Sequence, residues 1–168
     1  MGVVDTSSEG HLADQLRRVL DHVAAALFDA YDQPVEPVDA VPASLPTTVV
    51  GVVEFTGDLT GELRLSVPQA LLDATCPIGE PGPWLSELAN QLVGRWKNAL
   101  WPSGITIAMD AATMQLLGDA TSPSRTYASA HGDAQTWLRY VAAPGLTWHD
   151  PTETQRFRVA FEGDVLLF

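Results

Sequence analysis

Glu87 and Asn90 stand three residues apart in the stretch 83–101, PWLSELANQLVGRWKNALW, and Gly94 follows four residues after the asparagine. Read as a helix at about 100° per residue, the stretch puts Leu85, Leu88, Ala89, Leu92, Val93, Trp96, Ala99 and Leu100 on one broad arc, with Glu87, Asn90, Gln91, Gly94 and Asn98 opposite. A carboxylate beside a carboxamide can act on a partner: the first meets a cation, and the second orients a water without adding charge. The same pattern also fits a plain solvated helix face. That reading leaves Gly94 unexplained, since a mid-helix glycine costs about 1 kcal/mol against alanine. A docking face gives the glycine a use, because a position without a side chain lets another surface come close. Glu87 and Asn90 are the candidate catalytic residues, and Gln91, Gly94 and Asn98 the candidate partner-binding ones.

Other chemistry is sparse. The sequence has no Gly-rich phosphate loop, no G-x-S-x-G elbow, no H-E-x-x-H and no Cys-x-x-Cys pair. His131-Gly132-Asp133 and His149-Asp150-Pro151 read as turn residues. The single cysteine, Cys76, can form no internal disulfide and reads as a small buried hydrophobe. A hydrolase whose whole active site comes from its own side chains is therefore unsupported. Nine Lys and Arg against 21 Asp and Glu give a net charge of -12, which argues against nucleic acid or an anionic membrane as partner. The first ten residues do not form a secretory signal, and with a lone cysteine this points to the cytoplasm.

The 168 residues, 46% hydrophobic and with no apolar run of transmembrane length, are read as a single domain over 1–168. Leu12, Leu16, Val19, Leu20, Val23, Leu27 and Tyr31 make one apolar stripe and predict a helix over about 9–31, capped by Ser7 or Ser8. Arg17, Arg18, Asp14 and Asp21 fall on its wet face. Residues 32–46 carry four prolines and no period, and read as an extended connector. TTVVGVVEF, TGDLTG and ELRLSV then predict a hairpin, and Pro68 opens a short helix through PQALLDATC. Beyond the central helix, ITIAM, TYASAH and TWLRYVAA read as strands, ATMQLLGD is open between strand and loop, and RFRVAFEGDVLLF predicts a last hairpin. Blocks of helices and of strands point to α+β, with helices on one side of a mostly antiparallel sheet.

The hairpin with its Gly57-Asp58 turn and Gly61, the strand-ending Val67-Pro68 and the Glu-x-x-Asn helix followed by Gly94 together resemble the CheX branch of the CheC, CheX and FliY chemotaxis phosphatases. The resemblance covers residues 47–118. It implies an enzyme that hydrolyses the phospho-aspartate of a CheY-like response-regulator receiver, with Asn90 orienting the attacking water and Glu87 pairing with the receiver's active-site lysine. It further implies no cofactor of the chain's own, a divalent metal on the receiver, and a homodimer with one site per chain. Pro83 stands where the family pattern has Asp or Ser, Ala112 stands about where it has a proline, and the segment 119–150 is extra. The alternatives are a non-catalytic adaptor using the same helix face to bind a receiver or other signalling or flagellar partner, and a structural protein whose helix face meets only water.

Overall fold

The computed structural model describes residues 6–39, 48–77, 81–117 and 125–151. In chain order these form α1 (Thr6–Asp29), β1 (Glu36–Val38), β2 (Thr48–Gly57), β3 (Leu59–Ser66), α2 (Gln69–Thr75) and α3 (Pro81–Leu100). A 3-10 turn (Trp101–Ser103) follows, then β4 (Ile107–Met109), β5 (Thr113–Leu117), β6 (Arg125–Ser129) and β7 (Gly132–Ala142). The sheet order is β1-β6-β7-β3-β2-β4, with β5 also on β2, and every pairing is antiparallel. The α+β architecture expected from the sequence is present.

Two-residue alternation decides which face meets the helices. On β2, Val53 and Phe55 join the core with Leu63 and Leu65 of β3, and with the buried stripes of α1 and α3. Val50 and Val52 turn the other way and pack with Leu117 and Trp137 in a second, smaller cluster. Trp96 of α3 is fully buried and meets Phe55 edge-on, with ring centroids 5.6 Å apart. Its indole N–H donates to the Leu16 carbonyl at 3.3 Å, joining α3 to α1.

The Gly57-Asp58 turn fastens the middle of the sheet. Gly57 has φ +131°, a backbone state that favours glycine. Asp58 donates its N–H to the Thr106 carbonyl (3.0 Å), accepts the Thr106 N–H on its carboxylate (2.8 Å), and accepts the Ala143 N–H on its carbonyl (2.8 Å). One turn thus holds the approach to β4 and the end of β7.

Several expectations shift. α1 begins at Thr6 and ends at Asp29, so Tyr31 lies in the following turn, where Asp32 has φ 57°. Within the 32–46 connector, residues 36–38 pair with β6 as a strand. Pro37 is tolerated there because, among the described residues, β1 is an edge strand, where a missing N–H need not face a neighbour. The open stretch ATMQLLGD supplies β5. TYASAH and TWLRYVAA, inside the segment 119–150, form the expected strands as β6 and β7, and β7 pairs with β3 from Leu59↔Ala142 to Ser66↔Gln135. Cys76 caps the end of α2 and is half-buried, not buried as expected. The last predicted hairpin lies outside the described residues. Among the described residues no helix is long and apolar enough to cross a membrane.

Candidate functional site

α3 lies directly over β2 because Gly51 has no side chain: a Cβ there would come within 2.9 Å of Ala89 Cβ and 3.2 Å of the Leu85 carbonyl. That contact fixes the helix's rotation. The apolar arc is buried as its spacing predicts, with only Ala99 half-buried. Across the helix, Glu87 and Asn98 are exposed, while Asn90, Gln91 and Gly94 are half-buried. α3 begins at Pro81, so Pro83 falls in its first turn, where a missing N–H costs no helical bond.

Asn90 is held from the sheet side. Its Oδ1 accepts the backbone N–H of Ala112, in the link between β4 and β5, at 2.8 Å. An N–H can only donate, so it settles which end of the carboxamide faces it. One lone pair on Oδ1 and the Nδ2 hydrogens remain. A proline at 112 would have no hydrogen to give. The link is itself tied back to β2 by the Asp110 N–H to the Glu54 carbonyl at 2.9 Å.

Glu87 is held from the α1 side. Gln91 Nε2 donates to Glu87 Oε1 at 3.0 Å, and the Tyr31 hydroxyl donates to Gln91 Oε1 at 2.9 Å. The Tyr31 ring meets Trp84 edge-on at 5.3 Å, and the Trp84 indole N–H donates to Thr75 Oγ1 of α2 at 2.9 Å. A Cβ at Gly94 would meet only Met109 Sδ, at 4.0 Å, leaving the surface there open. The fold thus gathers Glu87, Asn90, Gln91 and Gly94. Asn98 stands apart, lining a shallow pocket with Lys97, Trp101 and Ile105 at the far end of the helix.

The sequence placed neither Tyr31 nor the Ala112 N–H at the site, although Ala112 stood out there as the residue where the resembled family has a proline. Tyr31 ends the apolar stripe of α1, and its hydroxyl, which needs a partner when half-buried, was the available signal. Ala112 contributes only backbone, which no side-chain pattern reveals.

A second polar cluster ties α1 to β6. Arg125 grips Asp21 through two bonds, Nε to Oδ1 at 2.8 Å and Nη2 to Oδ2 at 2.6 Å, and the Tyr127 hydroxyl donates to Asp21 Oδ1 at 3.0 Å. The hydrogen bond to Asp21 raises the Arg125 pKa above its already high ordinary value. Burial first, and then the Asp21 charge and hydrogen bond, push the Tyr127 phenol far above the usual tyrosine range. His131 lies in the β6–β7 turn, and His149 is tied by its own N–H to the Ser103 carbonyl at 3.3 Å. Among the described residues no group of three or more His, Cys, Asp or Glu gathers as a metal site would need.

No protein-family model and no curated protein matches the sequence. Solved structures do. A chemotaxis protein CheX from Desulfovibrio desulfuricans aligns with TM-score 0.59 at 14% identity, over 77% of this chain and 99% of that one. The fold is CheX-like. A putative chemotaxis protein from Desulfovibrio vulgaris Hildenborough aligns with TM-score 0.61 at 13% identity, over 76% of this chain and 97% of its own. FliY from Thermotoga maritima aligns with TM-score 0.54 at 13% identity, over 96% of this chain and 100% of that one. Identities this low carry the fold alone. Within the CheX-like frame, Glu87 is exposed on α3, and Asn90 and Gly94 are half-buried along the same helix.

Proposed function

We propose that the protein is a phosphatase for the phospho-aspartate of a CheY-like receiver domain, in a chemotaxis-type signalling system. The observation that carries the reading is the carboxamide of Asn90, fixed by the Ala112 N–H beside an exposed, braced Glu87 and an open Gly94. An acyl phosphate is already labile, so positioning a water supplies most of what hydrolysis lacks. A water donating to the remaining lone pair of Asn90 keeps its own lone pair for the phosphorus. Glu87 pairs with the receiver's active-site lysine and sets the register of docking. Gly94 lets the receiver's loops lie close to the helix.

On this reading the chain needs no cofactor of its own, the divalent cation belonging to the receiver. It works in the cytoplasm as a homodimer with one site per chain. The test is phosphate release from phosphorylated receivers of the source organism, with wild type beside Asn90→Ala and Glu87→Ala. Accelerated release that Asn90→Ala abolishes, and that Glu87→Ala weakens about tenfold through KM, is the expected outcome. A wild-type protein that binds a receiver without speeding release would replace the phosphatase with the adaptor.

A further inference from the structure

Glu87 is exposed, yet its side chain is held before any partner arrives. An ionised carboxylate only accepts hydrogen bonds, so Gln91 must turn its Nε2 toward Glu87, and its Oε1 then faces Tyr31. The Tyr31 hydroxyl meets that oxygen as a donor. The chain from Tyr31 O–H to Gln91 to Glu87 therefore runs in one direction only. Its last acceptor, Glu87 Oε1, is occupied, while Oε2 is left for a partner.

The upstream end is fixed as well. The Tyr31 N–H bonds the Phe28 carbonyl at 3.0 Å in the turn that closes α1, and the ring is set against Trp84, itself bonded to Thr75 of α2. Three helices thus meet in one chain of contacts that ends at Glu87. Without the hydroxyl, Gln91 Oε1 loses its donor, and the amide that bonds Glu87 is anchored at one end only.

We infer that Tyr31, acting through Gln91, is a positioning residue that holds Glu87 ready for the cation of the docking receiver. The inference rests on the phosphatase reading above. Its physical basis is that a side chain ordered in advance loses less freedom on binding. Gln91 is on this account a brace rather than a separate contact.

Tyr31→Phe removes only the hydroxyl and keeps the ring against Trp84. The KM for phosphorylated receiver should rise about fivefold, the size of one net neutral hydrogen bond, with kcat within about twofold. Gln91→Met should do the same, and the double variant no more than either, because the two act as one unit. In a Glu87→Ala background Tyr31→Phe should have no effect. The Gln91 side-chain amide resonances of the protein alone should move in both Tyr31→Phe and Glu87→Ala. If wild type is active and Tyr31→Phe leaves KM unchanged, or raises it equally without Glu87, the inference fails and the phosphatase stands. If wild type speeds no receiver, the two fall together.

Discussion

Two polar networks leave α1 in different directions, and they end differently. Toward β6, Asp21 is closed: both its oxygens are held by Arg125, Tyr127 adds a third bond, and the two charged side chains are only 15% and 19% exposed. Toward α3, the chain from Tyr31 through Gln91 stops at an exposed carboxylate with one oxygen unused. The first network neutralises its charge within the fold. The second carries a charge outward and holds it still. Each network joins a tyrosine hydroxyl and a carboxylate, but only the first holds a cation, so the carboxylate of the second keeps valence left over after the fold has been satisfied.

The largest effect belongs to Asn90→Ala, which should lower turnover at least about a hundredfold, the usual scale for one preorganised polar group in a reaction. Circular dichroism should show an intact fold. Asp21→Ala should do the reverse, destabilising the protein by about 2–3 kcal/mol because Arg125 and Tyr127 lose their acceptor. Asp39 offers Arg125 only an exposed contact at 3.5 Å in its place. Turnover per folded molecule should not change; urea titration and phosphate release read the two effects separately. Gly94→Ala should stabilise α3 by about 1 kcal/mol, since the new methyl meets only Met109, while weakening receiver binding. Unchanged binding would make the helix face an ordinary wet surface.

The smallest effect concerns alkali. In the folded protein Tyr127 keeps its proton where the unfolded chain, titrating near 10, loses it. Its contribution is complete below about pH 10 and falls as pH rises beyond that, because the unfolded state then binds fewer protons. Tyr127→Phe should remove the larger part of this alkaline slope. Tyr140, also raised by burial, leaves a remainder.

The reach of the sequence follows the range of the forces. Leu85 through Leu100 write α3 and its rotation in a local period, and the hairpin around Gly57 is equally local. The side of α3 that bears Glu87 and Asn90 was legible for that reason. What holds those two residues was not, because Tyr31 and Ala112 arrive from distant segments, one by a hydroxyl and the other by a main-chain hydrogen. The pairing of residue 36 with residue 128 was hidden likewise. Three residues with a central proline carry too little pattern to announce a strand whose partner lies far along the chain.

The order of the sheet has a kinetic side. β1 is made early but has its partner in β6, and β3 is covered on one flank only when β7 exists. A nascent chain stopped after α3 therefore has its helix motif complete in sequence while β3 still lacks a neighbour and α1 lacks the Arg125 that ties it to the sheet. Such long-range closure is slow, on the order of milliseconds to seconds for sheets of this kind. Since Tyr31 follows directly on α1, the helix motif is written well before the chain that braces it is secured, and the arrival of β6 and β7 decides when that happens.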